Sequence, residues 1–136
     1  MGVKKPKFIK ECVNCFSPIY LKFNFSYIVY EDNFVDEYKL QLLKRIRNLS
    51  EESLLVIMNR DKKIGLEFED YDQLNITKRI PEEFLKRYER KAFNNKVAII
   101  RLYPNNNPIV ARVIGVIIKN VFYIFFIDIG GTLYRH

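Results

Sequence analysis

The sequence predicts an α+β domain in which an N-terminal strand and a helical hairpin pack on a mainly antiparallel sheet. Three runs of apolar, β-branched and aromatic residues lie near the end of the chain, at residues 97–103, 109–118 and 121–129. Because turn-forming residues separate these runs, they predict a C-terminal three-stranded meander. Apolar and polar residues alternate over residues 19–30, which is typical of a half-buried strand, and apolar residues recur at helical spacing over residues 35–49.

Capping residues and prolines predict the remaining elements. Asn33 is expected to cap the first helix, and Ser50 to cap a second helix that ends near Asn59. The short link between the two helices predicts an antiparallel hairpin. Alternation over residues 64–69 predicts a short strand, and a third helix is expected over residues 81–93, because its first residue is proline.

The second turn of the meander predicts its register. If residues 119–120 form a two-residue loop, Arg112 lies opposite Ile127 on the neighbouring strand. Residues directly opposite each other share a face of the sheet. Arg112 and Tyr123 are therefore expected on one face, and Phe126 on the other.

Length and composition limit the number of domains and the kinds of partner that the chain can have. The 136 residues, 49% hydrophobic, are enough for a single domain with a real core, and residues 1–17 of this domain form a basic, cysteine-containing N-terminal arm. The apolar runs reach about ten residues, short of the ~20 that a spanning helix needs. We therefore expect a soluble, cytoplasmic protein that has no membrane partner.

The 23 Lys and Arg residues outnumber the 16 Asp and Glu residues, and the net charge of +7 favours a polyanionic partner. Nucleic acid is the first candidate and an acidic protein is the second.

The two cysteines do not complete a metal site. Cys12 and Cys15 have the spacing of half a zinc site or of a redox pair, but the only histidine is His136. The neighbourhood also lacks the βαβ pattern of a thioredoxin-like motif. We expect reduced thiols, no bound metal and no cofactor.

Basic residues gather near the ends of two predicted helices. Lys44, Arg45 and Arg47 near the end of the first helix are expected to face solvent, where they complement the helix dipole. The densest group lies on the third helix and consists of Lys86, Arg87, Arg90 and Lys91. This group is either a solvated surface or a patch that binds the RNA backbone.

Two arginines interrupt the apolar runs of the meander. Arg101 and Arg112 would be costly to bury without partners, so each is expected at an edge, in a functional site, or paired with a carboxylate such as Asp128 or Glu67. The face occupied by Arg101 depends on the five-residue loop before the second strand, and the sequence does not determine it.

The residues that stand out in the closing strands and the tail are Arg112, Gly115, Phe122, Tyr123, Asp128 and the terminal Leu133, Tyr134, Arg135 and His136. Together with the order of elements, they resemble the RelE/HigB-like toxin superfamily, small basic bacterial proteins in which a helical hairpin covers one face of a sheet. The resemblance implies an enzyme that cuts messenger RNA, often on the ribosome, and that a small acidic antitoxin protein holds inactive. The helix at residues 81–93 and the cysteine-bearing N-terminus depart from the family pattern.

Cleavage of RNA by its own 2′-hydroxyl needs a proton acceptor, cations that stabilise the charged phosphorane and an acid for the leaving oxygen, but no metal. His136 or Tyr134 are candidates for proton transfer, Arg101 and Arg112 for charge stabilisation, and Tyr123 for stacking on a base. The alternative for the two terminal residues is a frayed chain end.

Three functions remain open. The first is a metal-independent endoribonuclease toxin of a toxin–antitoxin module, acting on RNA. The second is a non-catalytic nucleic-acid-binding module. The third is a phage or mobile-element protein that binds and inhibits an acidic protein.

Overall fold

The computed structural model confirms the predicted α+β class. It describes five stretches of the chain, residues 18–61, 64–73, 75–76, 80–131 and 134–135. The predicted N-terminal arm with Cys12 and Cys15 lies outside these stretches, as does His136. The helices within them are α1 (Asp36–Ser50), α2 (Leu54–Met58) and α3 (Glu82–Arg87). The strands are β1 (Lys22–Asn24), β2 (Leu66–Asp70), β3 (Asn75–Ile76), β4 (Lys96–Arg101), β5 (Ala111–Ile118), β6 (Val121–Ile129) and β7 (Tyr134–Arg135).

The main sheet has the strand order β1-β6-β5-β4-β2. β4, β5 and β6 form the predicted antiparallel meander, and β2 extends it as a further antiparallel strand. The N-terminal strand β1 is three residues long and runs parallel to β6. A separate two-stranded sheet pairs β3 with β7, a contact that no sequence pattern predicted.

Helices pack on both faces of the main sheet. α1 and α2 contribute Leu42, Leu49 and Ile57 to a core that includes Val113 and Phe122 from the sheet. We call this side the α1 face. On the other side, the α3 face, a second core holds Phe84 and Phe93 together with the sheet residues Ile99, Ile114, Val116 and Phe125. The sheet is therefore buried on both sides, which explains why its central strands are almost continuously apolar.

A bulge in β6 corrects the predicted register. The loop at residues 119–120 forms as expected, and the pairs from Ile118 opposite Val121 to Gly115 opposite Ile124 follow it. The register then shifts by one residue, because Phe125 has no partner on β5. Arg112 consequently lies opposite Asp128 instead of Ile127, and Phe126 joins the core of the α3 face, contrary to the prediction.

Both predicted helix caps were wrong by two or three residues. The first helix begins after Val35 instead of Asn33, and Ser50 is its last residue instead of the cap of the next helix. The cap of α2 is Ser53, whose hydroxyl oxygen accepts a hydrogen bond from the backbone N–H of Val56 at 3.4 Å. The second arm of the predicted hairpin is consequently only five residues long.

The third helix is broken where one continuous helix was predicted. α3 ends at Arg87, Tyr88 has an extended backbone (φ −126°, ψ 125°), and a 3₁₀ turn resumes at Arg90–Phe93. Phe84 and Phe93 are nine residues apart, about two and a half turns of a continuous α-helix, which would direct them to opposite sides. The break allows both rings to be buried in the same core. None of the helices in the described stretches is long and apolar enough to cross a membrane.

Candidate nucleic-acid interface

A buried phenylalanine organises the surface around α3. Phe84 is fully buried, and its ring centroid lies 5.2 Å from that of Tyr27, 4.8 Å from that of Tyr88 and 5.2 Å from that of Tyr123. These three tyrosines, which we call the tyrosine cluster, are all partly exposed. The cluster therefore has a rigid apolar base and an edge open to solvent.

Three separate elements supply the tyrosines. Tyr88 follows α3 directly, and its backbone N–H donates to the carbonyl of Phe84 at 2.9 Å. Tyr123 lies on β6. Tyr27 belongs to the segment after β1, which is held over the α3 face where the N–H of Val29 donates to the carbonyl of Phe125 at 2.8 Å. The bulge residue Phe125 thus positions Tyr27 as well as shifting the register.

Hydrogen bonds link the hydroxyl groups of the cluster. The hydroxyl oxygens of Tyr88 and Tyr123 are 3.1 Å apart, and Nη1 of Arg87 donates to the hydroxyl of Tyr27 at 3.3 Å. The pKa of Tyr123 is raised to about 12, mainly by burial and to a smaller extent by the hydrogen bond with Tyr88. Tyr123 therefore keeps its proton near neutral pH, and its hydroxyl acts as a hydrogen-bonding group instead of a base. The hydrogen bond to Tyr27 raises the pKa of Arg87, which stays fully charged.

The four predicted RNA-binding cations fall into two groups because of the helix break. Lys86 and Arg87 lie on α3, and both are exposed. Among the described residues, no carboxylate forms an ion pair with either of them. Their charges are therefore open to an incoming anion, and Arg87 lies directly beside the tyrosine cluster.

Arg90 is engaged within the protein. Its guanidinium lies 4.7 Å from the ring centroid of Tyr71, 3.8 Å from a carboxylate oxygen of Asp72 and 3.3 Å from the side-chain oxygen of Asn95. These contacts attach the 3₁₀ turn after α3 to the segment that follows β2. Lys91 forms an ion pair of 3.2 Å with Glu89, but both side chains are largely exposed, so the pair contributes little.

The two arginines of the meander lie side by side at the opposite end of the same face. Arg101 on β4 is directly opposite Arg112 on β5, and Arg112 is directly opposite Asp128 on β6. We call this the charged row. Arg112 is 6% exposed and Asp128 is 1% exposed, and neither is without a partner. Arg101 is partly exposed, and its register with Arg112 places it on the α3 face.

Arg112 and Tyr123 share a face, as the alternation predicted, but they do not meet in one site. Tyr123 lies opposite Val116, four residues along β5 from Arg112, or about 13 Å at the rise of a strand. The buried side chains of Ile114 and Phe126 lie between them. Of the terminal candidates, Tyr134 is placed by its backbone in β7, opposite Ile76, while His136 lies outside the described residues.

One basic residue was predicted wrongly and has a structural role. Arg45 on α1 was expected to face solvent but is 3% exposed. Its Nε donates to the carbonyl of Arg101 and its Nη2 to the carbonyl of Ile64, both at 2.8 Å. The pKa of Arg45 is lowered to about 10, mainly by burial and to a smaller extent by the positive charge of Arg60. Arg45 thereby ties α1 to the end of β4 that carries the charged row.

Tyr27 and Tyr88 were not identified as site residues from the sequence. Phe84 and Tyr88 are four residues apart, a spacing at which side chains of a helix are neighbours, and this signal could have pointed to Tyr88. No local pattern connects Tyr27 with residues about 60 positions later in the chain. In the described part of the chain, no three His, Cys, Asp or Glu side chains are grouped so that they could hold a metal ion.

Comparisons of the chain with protein-family models, with curated proteins and with solved structures found no match.

Proposed function

We propose that the chain binds RNA through the surface formed by α3 and the tyrosine cluster. The observation that carries the proposal is the position of Arg87, an exposed cation that donates a hydrogen bond to the hydroxyl of Tyr27 in the tyrosine cluster. Its neighbour Lys86 is also exposed, and neither cation has a carboxylate partner in the described part of the chain. Cations of this kind replace the counterions of phosphate groups, and the released counterions drive binding. The net charge of +7 supports association with a polyanion.

Reversing these charges tests the proposal. The double variant Lys86→Glu/Arg87→Glu should bind single-stranded RNA more weakly, and the slope of log affinity against log salt should fall by about 1.4, or ~0.7 for each lost phosphate contact. The matched control is Lys44→Glu/Arg47→Glu, which reverses two exposed cations on α1, across the sheet from α3. Equal losses in both variants would mean that only net charge matters. If RNA does not bind and one acidic protein co-purifies with the chain, the inhibitor alternative replaces the proposal.

Metal-independent cleavage of RNA is a second candidate, and the charged row favours it. Arg101 and Arg112 are neighbours on one face, and two guanidinium groups are suited to stabilising the extra negative charge of a phosphorane. The chain would then act as a toxin whose growth-arresting activity is blocked by a small acidic antitoxin. Induced expression in bacteria, with growth and transcript integrity followed, tests this candidate. Intact transcripts with and without ribosomes would leave RNA binding alone.

A further inference from the structure

We propose that the tyrosine cluster stacks on unpaired bases, so that single-stranded RNA is the preferred ligand over duplex RNA. This inference rests on the proposed RNA binding and assigns the bases to Tyr27 and Tyr88, while the phosphates contact Lys86 and Arg87.

The ring of Tyr88 is held in a fixed orientation while part of it stays exposed. It lies against the buried ring of Phe84 at 4.8 Å with an interplanar angle of 31°, and its hydroxyl is 3.1 Å from that of Tyr123. Packing on one side and a hydrogen bond at the tip leave the side chain few alternative rotamers. Tyr88 therefore loses little further side-chain entropy when a base stacks on its ring.

Tyr27 is fixed in a similar way from another direction. Its ring meets Phe84 edge to face, at 5.2 Å and 85°, and its hydroxyl accepts a hydrogen bond from Arg87. Because Tyr27 and Tyr88 contact the same buried ring, the two lie within one or two nucleotide spacings of each other. The cluster thus provides more than one aromatic surface along a single strand.

The cations and one of the rings come from the same short stretch of the chain. Lys86 and Arg87 immediately precede Tyr88, so two cations and a ring are adjacent at the end of α3. A single strand can place its phosphates against the cations and turn a base onto the ring. In a duplex the base faces are covered by their neighbours, so only the phosphate contacts remain.

Three nucleic-acid probes distinguish base stacking on the tyrosines from attraction between the cations and the phosphates. They are a single-stranded RNA of about a dozen nucleotides, a duplex that contains the same sequence, and an abasic strand with the same number of phosphates. The wild type should bind the single strand at least about tenfold more tightly than the abasic strand, the effect expected for one or two stacked bases. The double variant Tyr27→Leu/Tyr88→Leu should lose this difference and bind the two strands equally. Tyr20→Leu is the matched control, since Tyr20 is 45% exposed and its backbone pairs with Ser53 beside α2.

Equal affinity of the wild type for all three probes would overturn the stacking inference and leave RNA binding in place. No affinity for any of them would overturn the proposed function itself. Should the leucine variant fail to fold, ultraviolet cross-linking of the wild type to the single strand gives the answer without a substitution. Cross-links on the peptides that contain Tyr27 or Tyr88 support the inference, and cross-links confined to other peptides overturn it.

Discussion

The hydroxyl oxygens of Tyr88 and Tyr123 lie 3.1 Å apart, which connects the residue after α3 to the first part of β6. The two rings also contact each other, with centroids 5.4 Å apart. This contact holds the interrupted helical segment against the sheet at the point where the chain leaves its helical conformation. The stability of the surface around α3 therefore depends on the hydroxyl of Tyr123, whose pKa is raised to about 12.

The first prediction is that the free energy of unfolding falls between about pH 10 and pH 12 because of Tyr123. The folded protein raises the pKa of Tyr123 to about 12, while the unfolded chain has the ordinary value near 10. Between these values the folded state retains a proton that the unfolded state has lost, so stability decreases as pH rises. Below pH 10 the contribution is fully present. Chemical denaturation of the wild type and of Tyr123→Phe at several pH values measures the effect, and the variant should show a shallower decline.

Tyr30→Phe is the control for this measurement, because Tyr30 is 77% exposed and its hydroxyl lies outside the tyrosine cluster. Its pH profile should follow that of the wild type. If Tyr123→Phe declines as steeply as the wild type, the hydroxyl pair does not contribute to stability in the way described.

The second prediction concerns the bulge. At Gly115 an added Cβ would collide with the carbonyl oxygen of Tyr123 and lie 2.7 Å from the ring of Phe122, so Gly115→Ala should destabilise the protein by about 3 kcal/mol. The control is Gly130→Ala. Gly130 has a φ of 85° but nothing within 4 Å of its added Cβ, so the expected cost is about 1 kcal/mol of backbone strain. Urea titration compares the two. A Gly115 variant no less stable than the Gly130 variant would contradict the close approach of β5 and β6.

The meander was predictable because turn-forming residues separate three apolar runs. Its tight turn formed at Lys119, which adopts a φ of 57°, although Lys-Asn is only a moderate hairpin signal. The bulge was not predictable. Phe125, Phe126 and Ile127 are all apolar, so moving the register by one residue leaves the hydrophobic pattern unchanged on a sheet that is buried on both faces. The sequence therefore could not determine that Arg112 lies opposite Asp128 instead of Ile127.

The tyrosine cluster lay beyond sequence analysis for a different reason. The basic residues beside the cluster were recognised as a dense group of charges before the meander. Tyr123 was a candidate because the predicted register placed it on the same face as Arg112. Tyr27, however, reaches the cluster only through the segment that leaves β1 and bonds to the bulge at Phe125. A contact that depends on a bulge and on a parallel edge strand has no signature within any one window of the sequence.

The third prediction distinguishes the roles of Arg87 and Arg90, which are only three positions apart in the chain. Arg90→Ala should lower the free energy of unfolding by about 1 kcal/mol, because the guanidinium leaves the ring of Tyr71, but it should leave the salt dependence of RNA binding unchanged. Arg87→Ala should do the reverse, with a stability change within about 0.5 kcal/mol and a salt slope reduced by ~0.7. Denaturation and RNA titration of both variants provide the measurements. A reduced slope in Arg90→Ala would show that Arg90 also contacts phosphate.

The last prediction tests whether the charged row is structural or catalytic. Arg112 is buried opposite the buried carboxylate of Asp128, so Arg112→Ala should cost about 3 kcal/mol or more of stability. Arg101 is partly exposed, so Arg101→Gln should fold normally. If the chain cleaves RNA through this row, Arg101→Gln should cleave at least ~10²-fold more slowly while its RNA affinity stays unchanged, the loss expected for one preorganised charge-stabilising group. Cleavage of a labelled transcript and urea denaturation measure the two effects. Normal cleavage by a stable Arg101→Gln variant would exclude Arg101 from the chemistry, and a fully stable Arg112→Ala variant would mean that Arg112 is not needed to compensate Asp128.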